Sequence, residues 1–364
     1  MPPLSCPNGK RRSRHAPIGA FLGCKTKERD GESLMLKYSI KRLLYSAIIL
    51  IFVMFIIYTL MYVMPGNYVQ QKAYELASKP GATKSAEQWL ADLKRQYGMD
   101  QGLIKGYFTW LGSAVKGEFG DSWKWQKPCT EVFTDRIWYS FALNIVTMFF
   151  EILIAIPLGI HAARKQYGFT DYFATVFSMV CISMPSFFIA TVLKLVFAVK
   201  LKWFDLTGMI DPRIHDSLSD FGKFLDVAKH YVLPVITITI ISIGGLMRYT
   251  RTNMLEVLSS DYIRTARAKG VPERKVIYSH AFRNTLIPLI TILGGSLVSL
   301  FSGAIITEQL FGLTGIGQAS YQSMVVGDIP FTMFYLMFIS ALTLIGNLLA
   351  DLLYAAADPR VRLG

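Results

Sequence analysis

Six long apolar runs alternate with polar segments along the chain, and their lengths predict membrane-spanning helices. The runs lie at about 43–64, 139–163, 173–193, 231–247, 285–309 and 331–354. A helix needs about 20 apolar residues to cross a bilayer. The strands of a membrane barrel would be about half as long and would alternate polar with apolar positions, which these runs do not do. The pattern therefore predicts an all-α membrane protein with six transmembrane helices.

The polar segments between the runs indicate how the chain is organised. Residues 1–34 are polar and basic and contain no apolar run, so they do not form a signal peptide. Met35 opens a second basic-then-apolar sequence and offers an alternative start. The expected parts are a basic, disordered extension over 1–34, a first span over 35–64, a small extracytoplasmic domain over 65–138, and a five-span core over 139–364 with a cytoplasmic loop over 251–284.

The charges along the chain predict its orientation. The formal net charge is +13. With the N-terminus inside, the inner segments hold 22 Lys and Arg against 8 Asp and Glu, whereas the outer segments hold 14 of each. Positive charge stays on the cytoplasmic side of a membrane protein, so both termini are expected to be cytoplasmic. The basic balance follows from this topology, and nucleic-acid binding is not needed to explain it.

A charged stretch over 256–284, between the fourth and fifth runs, carries the signals of a short helix. Ser260 is an N-cap residue, and Asp261 suits the positive N-terminal end of the helix. Arg267 and Lys269 suit its negative C-terminal end. Gly270 is a left-handed stop, and Pro272 lies just beyond it. Ala266, Ala268 and Gly270 keep the helix narrow enough for a groove to close around it. The alternatives are a helix that docks into a soluble partner and a solvated, positively charged loop.

Catalytic and nucleotide-binding motifs are missing from the sequence. The string nearest to a phosphate loop, at 19–26, has Cys24 where a glycine must precede the lysine. There is no Gly-x-Ser-x-Gly or His-Glu-x-x-His motif, and no Cys and His spacing typical of a metal site. We therefore expect no catalytic, cofactor or metal site in this chain, and any ATP that drives it is bound by another chain.

Acidic residues within the spans are candidates for a transport pathway, because charges at membrane depth are costly and often functional. Glu151 lies deepest. Glu308 and Asp351 lie close enough to the membrane surfaces to be wet. Glu151 and Glu308 are the candidate pathway residues. A proton relay would need a partner, and no span has a second acid or a central histidine.

Small residues and prolines in the later spans indicate close packing and local distortion of the helices. Gly295, Ser299 and Gly303 recur every four residues, a spacing that lets two helices approach closely. The row can serve packing inside one subunit or a seam between subunits. The remaining helix-modifying positions are Pro157, Pro185, Pro234, Pro288, the pair Gly244 and Gly245, and Gly294 beside Gly295.

The stretch over 261–270 resembles the coupling-loop signature of ABC transporter permeases, specifically the dipeptide, oligopeptide and nickel branch of binding-protein-dependent importers. That signature runs Glu-Ala-Ala, three residues, Gly, nine residues, then Ile-x-Leu-Pro. Here Thr-Ala-Arg at 265–267, Gly270 and His-Ala-Phe-Arg at 280–283 take those places. The loop segment at 205–208 departs from the branch, with Asp-Leu-Thr-Gly in place of Pro-Val-Ser-Gly.

Other segments between 35 and 364 resemble the same branch. They are Met-Pro-Gly at 64–66, Gly-Glu-Phe-Gly-Asp-Ser at 117–122, Ser-Met-Pro-Ser-Phe at 183–187, Met-Leu-Glu-Val at 254–257, Gly-Ala-Ile-Ile-Thr-Glu at 303–308, Asp-Leu-Leu-Tyr at 351–354 and Asp-Pro-Arg at 358–360. The resemblance implies the type I ABC importer permease fold in a bacterial plasma membrane.

The resemblance also implies partners and a mechanism. A second, related permease subunit would complete the pathway, two cytoplasmic ATPase subunits would bind ATP, and an extracytoplasmic substrate-binding protein would deliver the substrate. The residues that would couple to the ATPases are Asp261, Tyr262, Arg264, Thr265, Ala266, Arg267, Ala268, Lys269 and Gly270.

Three other functions remain open at the level of the sequence. The same branch carries nickel chelates and certain sugars as well as peptides. A proton-coupled secondary carrier would work without any ATPase. An intramembrane hydrolase is disfavoured, since the spans contain no catalytic pair.

Overall fold

The structure, a computed structural model, is built from helices. It describes residues 18–63, 68–80, 83–96 and 98–357, with side chains over 40–63, 69–80, 83–96 and 98–353. No β-strand forms within these ranges. The first seven helices are α1 (Ile18–Val63), α2 (Tyr68–Ala77), α3 (Ala86–Gln96), α4 (Leu103–Val115), α5 (Cys129–Arg164), α6 (Phe169–Ser183) and α7 (Ser186–Leu193, continued as a π-helix over Lys194–Lys200). A short 3₁₀ turn at His215–Ser217 precedes α8 (Asp220–Leu258). The last six are α9 (Asp261–Ala268), α10 (Glu273–Lys275, continued as a π-helix over Val276–Ala281), α11 (Phe282–Ser296, continued as a 3₁₀-helix over Leu297–Phe301), α12 (Ile305–Phe311), α13 (Ile316–Val325) and α14 (Ile329–Ala357).

The predicted all-α architecture with six apolar spans is confirmed, with one span bent. Five helical segments are long and apolar enough to cross a membrane: Ile40–Val63, Cys129–Arg164, Asp220–Leu258, Glu273–Phe301 and Ile329–Leu353. The pair α6 and α7 passes the same test only when its two halves are taken together, and the angle between them is 101°.

Two apolar runs differ from straight helices. The run predicted over 173–193 breaks at Met184, whose backbone is extended, because the following Pro185 disfavours helical geometry at the residue before it. The run predicted over 285–309 ends as a helix at Phe301. The chain then turns at Gly303, which has a φ of +77°. A Cβ atom there would lie 2.5 Å from the Gly317 nitrogen, so only glycine fits this turn.

The N-terminal extension is helical where the structure describes it. α1 begins at Ile18, so residues 18–34 form a helix and not the disordered tail that the sequence led us to expect. No proline occurs between Ile18 and Val63, and Leu, Lys and Glu are good helix formers, so nothing in the sequence ends the helix within this stretch. Residues 1–17, 64–66 and 358–360 lie outside the described residues.

α8 lies at the centre of the bundle. In the most apolar stretch of α8, 56% of the residues are buried inside the protein, whereas the corresponding share is 22% or less in each of the four other long spans. Glycines let its neighbours approach closely. A Cβ atom at Gly159 of α5 would lie 2.8 Å from the Met247 carbonyl oxygen. A Cβ atom at Gly244 of α8 would lie 2.9 Å from the Ser178 carbonyl oxygen of α6. α8 is therefore packed tightly against both preceding spans.

The small-residue row on α11 serves packing within the chain at two of its three positions. A Cβ atom at Gly295 would contact the Cβ atom of Ala350 on α14 at 3.8 Å. Gly303 forms the turn against Gly317. Ser299 lines a cavity described below, and Gly303 lies at the same cavity.

A buried carboxylate joins the domain between the first two spans to the core. The Asp328 side chain is fully buried and accepts hydrogen bonds from the Ser122 hydroxyl, from the Trp123 N–H at 3.1 Å and from the Lys124 N–H at 3.2 Å. The Lys124 ammonium in turn donates to the Gln322 side-chain oxygen at 2.6 Å. The loop that follows α4 is thereby fixed to the turn between α13 and α14.

The two adjacent glycines of α8 make a matched test of the packing. Gly244→Ala should lower the melting temperature in mild detergent, because overpacking against α6 costs about 1–3 kcal/mol. Gly245→Ala should leave it unchanged or raise it, since a Cβ atom at Gly245 meets nothing within 4 Å and alanine is the better helix former. Equal melting temperatures for the two variants would contradict the close approach of α6 and α8.

The hydrogen bonds to Asp328 predict a change in protease sensitivity. Asp328→Asn places an amide N–H₂ group against N–H and O–H donors, which costs about 1–3 kcal/mol. We expect faster tryptic cleavage after Lys124 and Lys127 in membranes that expose this domain to the protease. Glu118→Gln, at an exposed position of the same domain, should cleave at the wild-type rate. An unchanged cleavage rate in Asp328→Asn would show that Asp328 does not hold this loop.

Candidate functional site

α9 is a short helix with a defined end. Gly270 has a φ of +72°, in the left-handed region. The Val271 N–H donates to the Ala266 carbonyl at 3.2 Å, and the Gly270 N–H donates to the Arg267 carbonyl at 2.9 Å. This pair of bonds is a Schellman motif, which satisfies carbonyls that the end of a helix leaves free. The predicted left-handed stop at Gly270 is confirmed.

The start of α9 differs from the prediction in one respect. Ser260 occupies the N-cap position by its backbone angles, but its hydroxyl makes no capping hydrogen bond. It donates instead to the Val257 carbonyl at 2.6 Å. α8 ends only two residues before Ser260, and the free carbonyls of its last turn compete for the hydroxyl. The prediction of a side-chain cap at Ser260 is therefore wrong.

One buried residue holds α9 against the bundle. Ile263 is fully buried and lies in a cluster with Met254 of α8, Val276 and Ile277 of the following π-helix, and Ile160 of α5. Burial of one isoleucine side chain contributes about 1.5–3 kcal/mol. α9 thus touches the segments on both sides of it and the second span.

The other side of α9 is open to solvent. The predicted coupling residues form one continuous surface, exposed at all positions but the half-buried Ala266: Asp261, Tyr262, Arg264, Thr265, Ala266, Arg267, Ala268, Lys269 and Gly270. The Asp261 and Arg264 side chains are 98% and 73% exposed. Arg267 donates to the Glu273 carboxylate at 2.8 Å and 3.2 Å, and these hydrogen bonds raise the pKa of Arg267 above its usual value.

Two polar contacts near α9 were not predicted from the sequence. Asn284 at the start of α11 donates to the Tyr262 hydroxyl at 2.8 Å. Arg251 near the end of α8 donates through two nitrogens to the Asp171 carboxylate of α6, one of them at 2.9 Å. The partners in these pairs lie 22 and 80 positions apart. No local pattern in the sequence predicts pairs that are so far apart along the chain.

A cavity of about 550 Å³ opens between α5, α8 and α11. Its lining mixes hydroxyl, amide, carboxyl and apolar side chains: Asn144, Thr147, Met148, Glu151, Ile238, Ser242, Gly245, Leu246, Tyr249, Ile292, Leu293, Ser296, Ser299, Leu300, Ser302 and Gly303. Asn144 ties the two sides together, since its amide donates to the Ser299 and Leu300 carbonyls at 3.2 Å each. Among the described residues that line the cavity there is no Lys, Arg or His.

The two candidate pathway acids occupy different environments. Glu151 lines the cavity. Glu308 does not: it is 1% exposed and accepts hydrogen bonds from the Ser140 hydroxyl at 2.7 Å and from the Ala304 and Gln318 N–H groups at 2.9 Å each. The expectation that the Glu308 side chain is exposed to water is wrong, because the turn at Gly303 folds α12 and α13 around it. The third acid, Asp351, pairs with Arg42 of α1 at 2.7 Å.

Comparison with protein families matches almost the whole chain. Residues 155–363 match the family described as the binding-protein-dependent transport system inner membrane component. Residues 35–147 match the N-terminal region of the same kind of membrane component. The matched residues include α9 and most of the cavity lining, but Met148 and Glu151 lie between the two matched ranges.

Individual relatives agree with the family match. The oligopeptide transport system permease protein AppB of Bacillus subtilis is 33% identical, over 90% of this chain and 99% of its own length. The dipeptide transport system permease protein DppB of Alkalihalophilus pseudofirmus is also 33% identical, over 90% of this chain and all of its own. DppB of Escherichia coli is 30% identical over 90% of this chain.

Among solved structures, the MetNI methionine ABC transporter in inward-facing conformations is similar with a TM-score of 0.47 and 16% identity, over 64% of this chain and 98% of that one. The family match and the relatives confirm the resemblance to ABC permeases that the loop over 261–270 indicated. The chain is a multi-pass membrane protein and belongs to the family of inner membrane components of binding-protein-dependent transport systems.

Proposed function

We propose that this chain is the permease subunit of an ATP-driven importer and forms half of a translocation pathway for peptides. The single observation that carries the proposal is the form of α9. It is a helix of defined length, held at one buried residue and exposed along its charged side, between two of the long spans. An exposed helix of this kind fits a groove on a soluble partner.

The coupling surface at 261–270 accounts for how ATP hydrolysis elsewhere moves this chain. Two cytoplasmic ATPase subunits hold ATP, and each permease of a related pair seats its α9 in an ATPase groove. Closure of the ATPases then pushes on α9. This chain binds no nucleotide in the proposal, in agreement with the missing phosphate loop.

The charge distribution supports an orientation of the chain in the membrane, and this orientation indicates where an extracytoplasmic substrate-binding protein would dock. The excess of Lys and Arg on the segments that include α9 supports cytoplasmic termini. The bacterial relatives and the family description support a position in the bacterial plasma membrane. The domain around α2, α3 and α4 then faces outward. It is the surface onto which an extracytoplasmic binding protein delivers the substrate.

Peptides are favoured over the alternative cargoes, because the relatives described above are named as oligopeptide and dipeptide permeases. A nickel chelate or a sugar is the alternative within the same branch. A proton-coupled carrier is the alternative of another class, and uptake that survives loss of ATP but collapses with the proton gradient would identify it.

An affinity purification tests the partners. The tagged chain, extracted in mild detergent, should recover a second permease and one or two ATPases, identified by mass spectrometry. Arg264→Glu reverses a charge on the exposed face of α9 and should reduce recovery of the ATPases several-fold. Recovery of the second permease should not change.

The control for this purification is Arg213→Glu, which changes an exposed arginine in the segment between the π-helix Lys194–Lys200 and α8. It should leave recovery of every subunit unchanged. Recovery of the tagged chain alone would contradict the importer and favour the carrier.

A second test uses the helix stop at Gly270. Gly270→Val forces a β-branched residue into the left-handed region, which costs about 1–2 kcal/mol. We expect ATP-driven peptide uptake to fall by about tenfold while the amount of protein in the membrane stays the same. Gly270→Asn should retain most of the uptake, since asparagine tolerates this conformation. Normal uptake by Gly270→Val would contradict the proposal that coupling depends on the defined end of α9.

A further inference from the structure

The cavity between α5, α8 and α11 presents mostly hydrogen-bond acceptors. Four of its hydroxyl groups donate to carbonyl oxygens of their own helices: Thr147 to Leu143 at 2.8 Å, Ser296 to Ile292 at 3.0 Å, Ser299 to Ser296 at 2.6 Å and Ser302 to Ser299 at 2.9 Å. A hydroxyl has a single proton to donate. Because these protons are committed, the four oxygens offer only lone pairs to a molecule in the cavity.

The change from an α-helix to a 3₁₀-helix arranges three of these oxygens. The 3₁₀ segment Leu297–Phe301 continues α11, with Ser296 before it and Ser302 after it. A 3₁₀-helix has three residues per turn, so side chains three positions apart lie above one another. Ser296, Ser299 and Ser302 therefore form a single row along the wall.

Glu151 faces this row from the second span without a partner of its own. Within the described part of the chain no hydrogen bond or ion pair reaches its carboxylate, in contrast to Glu308, Asp328 and Asp351. It lies midway along the apolar run 139–163, about 18 Å of helix from either end. A carboxylate at that depth is costly to leave uncompensated. A cation in the cavity would supply the missing partner.

We propose that this cavity binds the positively charged amino end of a peptide, with Glu151 as counter-ion and the row Ser296, Ser299 and Ser302 as acceptors for the ammonium protons. The inference rests on the proposed function, since it assigns a part of the substrate to a wall of the pathway. An ammonium group carries three N–H donors and no acceptor, which matches the wall. The hydroxyls of Ser242 and Tyr249 are not committed to protein groups and can donate to peptide carbonyls.

Other ligands fit the wall less well. A peptide carboxylate would meet the Glu151 carboxylate and be repelled. A metal ion held by protein alone would need several His, Cys or acidic ligands together, and no such group of three occurs among the described residues. The carboxyl end of the peptide must therefore be held elsewhere in the assembled pathway.

The test measures binding at the cavity without the extracytoplasmic binding protein, whose own selectivity would otherwise enter. The assembled complex is purified in detergent with Ser242→Cys as a reporter and with Cys6, Cys24, Cys129 and Cys181 replaced by serine. Maleimide labelling at position 242 is followed by mass spectrometry. The probes are trialanine amide, which has a free ammonium group, and N-acetyl-trialanine amide, which is neutral. Both lack a carboxylate.

We expect trialanine amide to halve the labelling rate at a concentration about tenfold below that needed for the acetylated probe, since a hydrogen bond from a charged donor is stronger than one from a neutral donor. Glu151→Gln should abolish this difference. Glu151→Asp, which keeps the charge, should retain at least part of it. Glu131→Gln removes a carboxylate from an exposed position of the same helix and should retain all of it.

Three results would overturn the amine site: equal protection by the two probes in the wild-type cavity, a difference that persists in Glu151→Gln, or no protection by either probe. The proposed function is decided separately. ATP-driven uptake of peptides by the complex establishes or refutes import, whichever end of the peptide the cavity holds.

Discussion

The packing of α5 against α8 is the contact on which the rest of this structure depends. It is close because Gly159 leaves room for the backbone around Met247. The two helices then share the cavity wall, with Glu151 on one side and Ser242, Gly245 and Tyr249 on the other. Tyr249 is nine residues from the end of α8, about 14 Å of helix. A rigid α8 thus places the cavity and the start of α9 at a fixed separation.

Most of the buried acidic side chains hold distant segments of the chain together through hydrogen bonds. Glu308 is held by Ser140 and by the backbone N–H groups of Ala304 and Gln318. Asp328 is held by the loop after α4, and Asp171 by Arg251. Each of these carboxylates joins segments far apart in the sequence, and each is satisfied within the chain. Glu151 is not. Because buried charges that serve the fold are paired with protein groups, an unpaired carboxylate in a cavity is better explained by a ligand than by stability.

The features that were predictable from the sequence are those with local causes. Gly270 ends α9 because a left-handed residue is needed there, and the sequence supplies glycine with Pro272 beyond it. The bend at Met184 also has a local cause in Pro185, but a proline inside an apolar run is compatible with a kinked span as well as a broken one. The burial of Glu308 has no local signal. It requires Ser140, 168 positions away, and the turn at Gly303 that closes α12 and α13 over it.

The position of α9 gives the proposed coupling a physical route. Ile263 touches Met254 at the end of α8 and Val276 and Ile277 in the π-helix that leads into α11. α8 and α11 are also two of the helices that line the cavity. A displacement of α9 therefore cannot be absorbed by one span alone, since its buried anchor is shared by both. Close-packed interiors shift as units and deform little. Motion imposed on α9 would then change the separation of the two cavity walls, and with it the distance between Glu151 and the serine row on which a bound ammonium group depends.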